Sequence, residues 1–237
     1  MQYNIDVLIK GGTNNGGDSR DTNIFRNIED QVDPLLSFEN MTIPISIVFW
    51  DISGFSRLYR TFSMVDKEIY MLDFLNQYYL IARKTISKNN GMLDKAIGDG
   101  IMSWFGAIKD TTFDDGANDA INAAIELRTC FEELQRQFRK KWDIFKIQIP
   151  EFGLKCGINT GIAKVCILYN QCTVMGTSVN LASRLQQYAK SNQIIISDTT
   201  KQKLQLKKYD LCEILIDTNC PIKSFEDIRI CFEISRS

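Results

Sequence analysis

The chain has 237 residues, of which 44% are apolar and 24% are charged, so it is long enough to build a large domain with a substantial core. Its 28 basic and 29 acidic residues give a formal net charge of -1, so no overall positive field favours nucleic-acid binding. The sequence contains no histidine, which excludes Ser-His-Asp triads, Cys-His pairs and histidine-bearing zinc sites. Any catalysis therefore depends on carboxylates, Lys, Arg, hydroxyls, Cys or bound metal.

The seven cysteines include no Cys-x-x-Cys pair and lie mostly in apolar or strand-like stretches, which is typical of free thiols in a reducing compartment. The N-terminus lacks the basic and apolar pattern of a signal peptide, and no apolar run is long enough to span a bilayer. We therefore expect a cytoplasmic protein with no membrane insertion and no nucleic-acid partner.

The first 40 residues read as an appendage to a main domain over 41–237. A Gly- and Asn-rich stretch at 11–19 is typical of a linker. A phosphate-binding loop of the Walker type is not expected there, because no Lys-Ser or Lys-Thr follows the glycines.

The main domain begins with a β-branched and aromatic run at 45–50, which predicts a buried strand ending at Asp51. Apolar residues at helical spacing predict an amphipathic helix over 65–88, which the Asn-Asn-Gly at 89–91 terminates. Two short apolar runs at 92–97 and 101–105 then predict a hairpin, with Asp99 between two glycines at its tip.

A second long helix is predicted over 114–140, followed by two strands at 154–158 and 163–168 that a turn at 159–161 separates. A third helix is predicted over 178–189, and strands at 194–197, 212–215 and 228–234 complete the chain. This order predicts an α+β sandwich with the helices on one face of a mostly antiparallel sheet.

Two aspartates are candidates for metal binding. Asp51 follows a buried strand and Asp99 lies at a hairpin tip, and neighbouring glycines leave room for a ligand. Mg²⁺ is usually held by one or two carboxylates together with substrate phosphates. The alternative is that both are ordinary turn aspartates that cap loops.

A second candidate pair lies on the third helix. Asn180 and Arg184 are four residues apart, so their side chains project from one face of that helix. Arg offers a planar fork suited to phosphate, and Asn offers both a donor and an acceptor. The alternative is a solvated helix face without a ligand.

Four segments in order, at 49–56, 91–100, 157–161 and 175–185, resemble the successive motifs of class III nucleotidyl cyclases. The resemblance covers nearly all of 43–234. It implies a ferredoxin-like, palm-type fold and a head-to-tail homodimer with active sites at the interface. It also implies a lyase that converts a nucleoside triphosphate into its 3′,5′-cyclic monophosphate and pyrophosphate.

The same resemblance assigns site residues. Asp51, the backbone carbonyl of Ile52 and Asp99 would hold two Mg²⁺ or Mn²⁺ ions. The remaining assignments are Lys95 and Thr177 for choice of the base, Asn180 and Arg184 for the ribose and the transition state, and Lys223 for phosphate. Phe49 and Trp50, which precede Asp51, are further candidates for substrate contact, although the family usually has a small residue at the position of Trp50.

The identity of the base stays open between two interpretations. Lys95 with Thr177 resembles a bicarbonate-responsive subgroup of adenylyl cyclases, which favours ATP. If the ring of Trp50 faces the pocket, it would shrink the space for a purine; the alternative is that the ring points into the core. The short chain also resembles free-standing pyrimidine cyclases of bacterial antiphage signalling. We therefore expect UTP or CTP slightly ahead of ATP.

Two other classes of protein stay open. One is a catalytically inactive cyclase-like module that binds nucleotide as a regulator. The other is a diguanylate cyclase or polymerase palm, whose Gly-Gly-Asp/Glu-Glu-Phe signature is missing from this sequence.

Overall fold

The computed structural model describes residues 40–109, 112–168, 171–204 and 209–235. The Gly-rich stretch at 11–19, and with it almost all of the expected appendage, lies outside the described residues. None of the helices in these ranges is long and apolar enough to cross a membrane.

The described part of the chain contains ten strands and five α-helices. The strands are β1 Thr42–Ser53, β2 Gly91–Ile97, β3 Gly100–Phe105, β4 Ala107–Lys109, β5 Thr112–Asp114, β6 Gly153–Leu168, β7 Gln171–Met175, β8 Ile194–Ile196, β9 Asp210–Leu215 and β10 Ile230–Ser235. The helices are α1 Phe55–Ser63, α2 Ile69–Lys88, α3 Ala117–Trp142, α4 Thr177–Tyr188 and α5 Asp198–Lys203, with a 3-10 turn at Asp143–Phe145.

Eight of the strands form one sheet in the order β2, β3, β1, β6, β8, β10, β9, with β7 paired to the far end of β6. The pairings are antiparallel except that of β6 with β8. The short strands β4 and β5 form a separate hairpin. The expected α+β architecture with a mostly antiparallel sheet is confirmed.

One predicted turn is wrong. The chain does not turn at 159–161, because β6 runs without a break from Gly153 to Leu168. Asn159, Thr160 and Gly161 pair with β1 in regular antiparallel register. The polar residues and the glycine predicted a turn, but in the structure Asn159 and Gly161 contact the helices that pack on β6.

The segment after β1 also differs from the prediction. It contains a separate helix α1, and α2 begins at Ile69 rather than at residue 65. Asp66, with φ of 55°, lies between the two helices in the left-handed region, where continuation of an α-helix is unfavourable. The short elements β4, β5, β7 and α5 were not predicted, since a few residues carry little periodic signal.

The helices lie on both faces of the sheet, and the prediction of one face is wrong. Ile194 and Ile196 of β8 face the main core, which contains the buried sides of α2 and α3. Ile195, between them, faces a second core with Leu185 of α4 and Cys231. Because side chains alternate along a strand, the two cores lie on opposite faces.

Candidate active site

The first part of the site lies where β1 ends beside the turn between β2 and β3. Asp51 is near the end of β1, Asp99 is in the turn, and both are partly buried. Pairing of β1 with β3 extends to Trp50 and Ile101, so the turn lies next to Asp51. A Cβ built on Gly100 would be 3.8 Å from Asp51 Oδ1. The fold therefore brings together the two aspartates that the sequence singles out.

The two carboxylates repel each other. Burial raises the pKa of Asp99 above its usual value, and the negative charge of Asp51 raises it further. Backbone hydrogen bonds from Asp99 itself and from Ile52, and the charge of Lys155, oppose part of this rise in pKa. A bound cation would relieve the repulsion, because it stabilises the ionised form of both carboxylates.

Lys155 is a component of the site that the sequence reading missed. It lies opposite Asp51 in the pairing of β1 with β6, and its Nζ is 3.0 Å from Asp51 Oδ2. No local motif marks this lysine, because only the strand register brings it to Asp51. An ammonium has three donors, so the group that offsets the charge of Asp51 is also suited to an anionic ligand. We call Asp51, Asp99 and Lys155 the carboxylate cluster.

The carboxylate cluster fits divalent cations that arrive with a polyphosphate. Within the described ranges, no three or more acidic or cysteine side chains gather where they could hold an ion by themselves. Two carboxylates completed by substrate oxygens are a usual environment for Mg²⁺. The Ile52 side chain is buried in the core, so only the backbone of this residue is available as a ligand.

The Trp50 side chain belongs to the main core and not to the site. It is 1% exposed and packs in the same cluster as Val48 and Ile52. By strand alternation, Phe49 and Asp51 face the other side of the sheet, where Phe49 is partly buried. The expectation that the Trp50 ring limits the space for a base is therefore wrong, whereas Phe49 shares the face of Asp51.

Lys95 forms a compact polar contact between β2 and β7. Its Nζ is 3.0 Å from Thr173 Oγ1 and 2.9 Å from Asp94 Oδ1. The Lys95 side chain stays 41% exposed, whereas that of Asp94 is fully buried. We call Lys95, Asp94 and Thr173 the lysine cluster; Asp94 and Thr173 were not among the residues expected in the site.

Helix α4 carries the other expected polar residues. Thr177 and Asn180 are exposed at its start, and Arg184 is partly buried one turn later. The Arg184 guanidinium donates to Gln187 Oε1 at 2.7 Å, which holds it along the helix surface. All three side chains are thus at least partly exposed, and their roles toward a ligand stay predictions.

Helix α4 is seated directly on β6. A Cβ on Gly157 would lie 2.1 Å from the backbone nitrogen of Gln186, so only glycine permits this approach. Asn159 Nδ2 donates to the carbonyl of Ser178 at 3.0 Å, and Thr199 Oγ1 donates to Asn159 Oδ1 at 3.0 Å. These contacts explain the polar residues in the middle of β6, and they fix the start of α4.

Lys223 stays a prediction. It is exposed in the segment between β9 and β10. Among the described residues, no hydrogen bond or ion pair links it to the carboxylate cluster, the lysine cluster or α4.

The carboxylate cluster and α4 lie on the same face of the sheet. Lys155 and Gly157 are two residues apart on β6 and share a face, and Gly157 touches α4. Yet no hydrogen bond or ion pair in the described ranges joins the carboxylate cluster to Lys95 or Arg184. Fold and site together define a palm-type α+β domain whose polar groups suit nucleotide phosphates.

Comparison with known proteins identifies the family. The model of the adenylate and guanylate cyclase catalytic domain matches residues 39–219. The chain therefore belongs to this family of nucleotidyl cyclase domains, which confirms the resemblance found in the sequence.

Individual relatives agree with this assignment. An adenylate cyclase of Anabaena cylindrica is 27% identical over 197 residues, which cover 80% of this chain and 36% of that protein. A cytidylate cyclase of Escherichia coli is 26% identical over 170 residues, 69% of this chain and 35% of that protein. The chain thus spans about a third of the length of these two relatives. The crystal structure of the adenylyl cyclase CyaB from P. aeruginosa superposes with a TM-score of 0.72 at 25% identity, covering 83% of this chain and 96% of that one.

Proposed function

We propose that the chain converts a nucleoside triphosphate into its 3′,5′-cyclic monophosphate and pyrophosphate. The observation that carries the proposal is the carboxylate cluster, in which two aspartates repel each other and one pairs with Lys155 at 3.0 Å. Such a site gains stability from a cation and a polyphosphate bound together. Membership of the cyclase family makes this reaction the natural use of the site.

In this reaction the 3′ oxygen forms a bond to the α-phosphorus, the bond from the α-phosphorus to the bridging oxygen breaks, and the 3′ proton passes to water. Divalent cations, Mg²⁺ or Mn²⁺, would lower the pKa of the 3′-hydroxyl and neutralise the phosphates. Asp51, Asp99 and the Ile52 carbonyl would hold these ions. Asn180 would position the ribose, and Arg184 would leave Gln187 to stabilise charge on the α-phosphate.

We further propose a head-to-tail homodimer, in which the carboxylate cluster of one subunit faces Lys95 and α4 of the other. The absence of a described bond between these groups within one chain is consistent with this arrangement. Exposed apolar side chains beside them, Ile97 next to the Asp99 turn and Met175 before α4, are suited to a subunit interface.

Mixing two inactive variants tests the dimer. Asp99→Ala removes a carboxylate and Arg184→Ala removes the guanidinium, so each homodimer has two defective sites. A mixed head-to-tail dimer has one intact site, and random exchange should restore about a quarter of wild-type activity. No recovery after verified subunit exchange would contradict shared sites.

For the base, the lysine and threonine side chains favour an edge with a ring acceptor beside an exocyclic amine. Lys95 would donate to the ring nitrogen, and the hydroxyl of Thr177 would accept from the amine. Cytosine and adenine share this edge, so we propose CTP or ATP as substrate. The steric argument against a purine no longer applies, because the Trp50 ring lies in the core.

Incubation of the purified chain with each of the four nucleoside triphosphates and Mn²⁺, followed by product identification, decides the substrate. Cyclic CMP or cyclic AMP as the main product supports the proposal. Cyclic UMP alone would keep the pyrimidine interpretation but reverse the proposed role of Thr177. Nucleotide binding without any product would favour the inactive regulatory module.

The role in antiviral signalling is a further proposal that depends on the product. If the chain makes a cyclic pyrimidine nucleotide, its concentration in phage-infected cells should rise above that in uninfected cells. Cells that carry Asp99→Ala provide the matched control. An unchanged concentration during infection would contradict this role.

A further inference from the structure

Asp94 is a buried carboxylate that the proposed reaction does not use. Its side chain is fully buried, although it lies on β2 beside the partly exposed Lys95. Three groups contact it: the hydroxyl of Thr173, 2.9 Å from both carboxylate oxygens; the backbone N–H of Val174, at 3.2 Å; and the Lys95 ammonium, at 2.9 Å. Burial of a carboxylate is costly unless such partners satisfy it, so this position has a specific structural purpose.

The backbone of β2 is irregular at this residue. Leu93 pairs with Ser103 and Lys95 pairs with Met102, so Asp94 is an extra residue in the strand, a β-bulge. In a regular strand the side chains of sequence neighbours point to opposite faces. The bulge instead lets Asp94 and Lys95 contact each other and the same hydroxyl on β7. Bulges often redirect a side chain next to an active site.

The lysine cluster fixes the direction of the Lys95 ammonium. Of the three donors of an ammonium, one points to Thr173 and one to Asp94. The remaining donor then has a defined direction, and the exposed part of the side chain makes it accessible to a ligand. A lysine without these partners would keep four flexible torsions, and its ammonium could donate to ring nitrogens in several positions.

We propose that Asp94 is the positioning residue that sets base preference, because it holds Lys95 through the bulge and through Thr173. This inference rests on the proposed function, in which Lys95 contacts the base. Asp94 does not touch the substrate itself. Its removal should therefore weaken discrimination among bases and leave recognition of the triphosphate intact.

The experiment uses Asp94→Asn, which keeps the size and the acceptor oxygen of the side chain but removes the charge that holds Lys95. Thr173→Val removes the hydroxyl between them and serves as a second variant. The matched control is Asp115→Asn, since Asp115 also accepts from a backbone N–H, that of Ala117, and pairs with a lysine, Lys203. Each protein is assayed for kcat/KM with all four nucleotides, and inorganic tripolyphosphate is titrated as a ligand without a base.

We expect Asp94→Asn to lower kcat/KM for the preferred nucleotide about tenfold, because a charge-assisted contact is lost. The ratio of preferred to next-best nucleotide should fall by a similar factor, while the Kd of tripolyphosphate stays unchanged. Thr173→Val should act in the same direction, and Asp115→Asn should behave as wild type.

An equal loss for all four nucleotides, or a parallel loss of tripolyphosphate binding, would show a merely structural role and overturn the inference. So would an unchanged nucleotide ratio in both cluster variants. Failure of the proposed function is distinct, because wild-type protein would then give no cyclic product. In that event the nucleotide Kd values replace kcat/KM, and loss of base discrimination in Asp94→Asn remains the expected result. A wild-type chain that binds no nucleotide would overturn both proposals.

Discussion

The carboxylate cluster and the contact of Asn159 with α4, which we call the seat of α4, differ in how well their polar groups are satisfied. In the cluster, burial and then the charge of Asp51 raise the pKa of Asp99, and one lysine offsets only part of this rise. At the seat of α4, both polar groups of the Asn159 amide have partners at 3.0 Å. The first region therefore gains from a ligand, whereas the second is complete without one. The hydrogen bonds of Asn159 thus hold α4 in place, while the negative charge of the two aspartates remains to bind a cation with the substrate.

The largest expected effect tests the charged region. Asp51→Ala or Asp99→Ala should abolish cyclic nucleotide formation, because a single carboxylate holds the divalent cations poorly. Neither variant should unfold the chain: Asp99→Ala relieves a repulsion, and Asp51→Ala relieves the same repulsion while it removes one partly exposed ion pair with Lys155. Turnover and circular dichroism are measured together, and folded protein with wild-type turnover would refute the metal roles.

Arg184→Ala comes next in size. The guanidinium should act mainly where charge develops on the α-phosphate. Its removal should therefore lower kcat by raising the activation free energy by about 2 to 4 kcal/mol, with a smaller change in KM. Gln187→Ala, which removes the partner of Arg184 in the free protein, provides the control and should retain most of the activity. A rise in KM with unchanged kcat would place Arg184 in ground-state binding instead.

At the contact between β6 and α4, loss of a side chain should lower the stability of the fold rather than act directly on catalysis. Asn159→Ala removes the described donor to the Ser178 carbonyl and one of the two described partners of the Thr199 hydroxyl, the other being Ser197 Oγ at 2.8 Å. We expect the free energy of unfolding to fall by about 1 to 3 kcal/mol, measured by urea denaturation. Thr129→Ala, an exposed threonine of α3 that donates to Ile125 within its own helix, is the control for loss of a local hydrogen bond. An Asn159 variant as stable as wild type would show that this seat contributes little.

A smaller effect of the opposite sign is expected at Asp99. Because burial and Asp51 raise its pKa, the ionised carboxylate destabilises the folded chain at pH values above that pKa. Asp99→Asn should therefore raise the melting temperature at pH 7 in the presence of a chelator. The gain should shrink as the pH falls through the raised pKa, since the wild-type carboxyl is then neutral too. Asp73→Asn, on the surface of α2, controls for charge removal alone, and a pH-independent gain would contradict the raised pKa of Asp99.

The sequence predicts the order of the strands and long helices, because hydrophobic periodicity is a local signal. It also predicts that Asp51 and Asp99 lie close together, because the motifs that contain them occur in a recognisable order. The roles of Lys155 and Asp94 could not be predicted, since each owes its place to strand register or to a bulge. The continuous β6 was missed for a related reason: the signals of Asn159 and Gly161 suggest a turn, but these residues serve the packing of α4. Trp50 shows the same limit, because two adjacent strand residues face opposite sides and motif position alone does not reveal which.

Trp50 gives the smallest expected functional effect and the sharpest test of this face assignment. Its ring is 1% exposed in the core, and its indole nitrogen lacks a described hydrogen-bond partner. Trp50→Phe should therefore lower stability by only about 1 kcal/mol, since the small cavity is partly offset by removal of a buried donor. The ratios of kcat/KM among the four nucleotides should not change, whereas Phe49→Ala, on the face of Asp51, should alter substrate kinetics. A shift in nucleotide preference caused by Trp50→Phe would show that the Trp50 ring contacts the base, and it would again favour a pyrimidine on steric grounds.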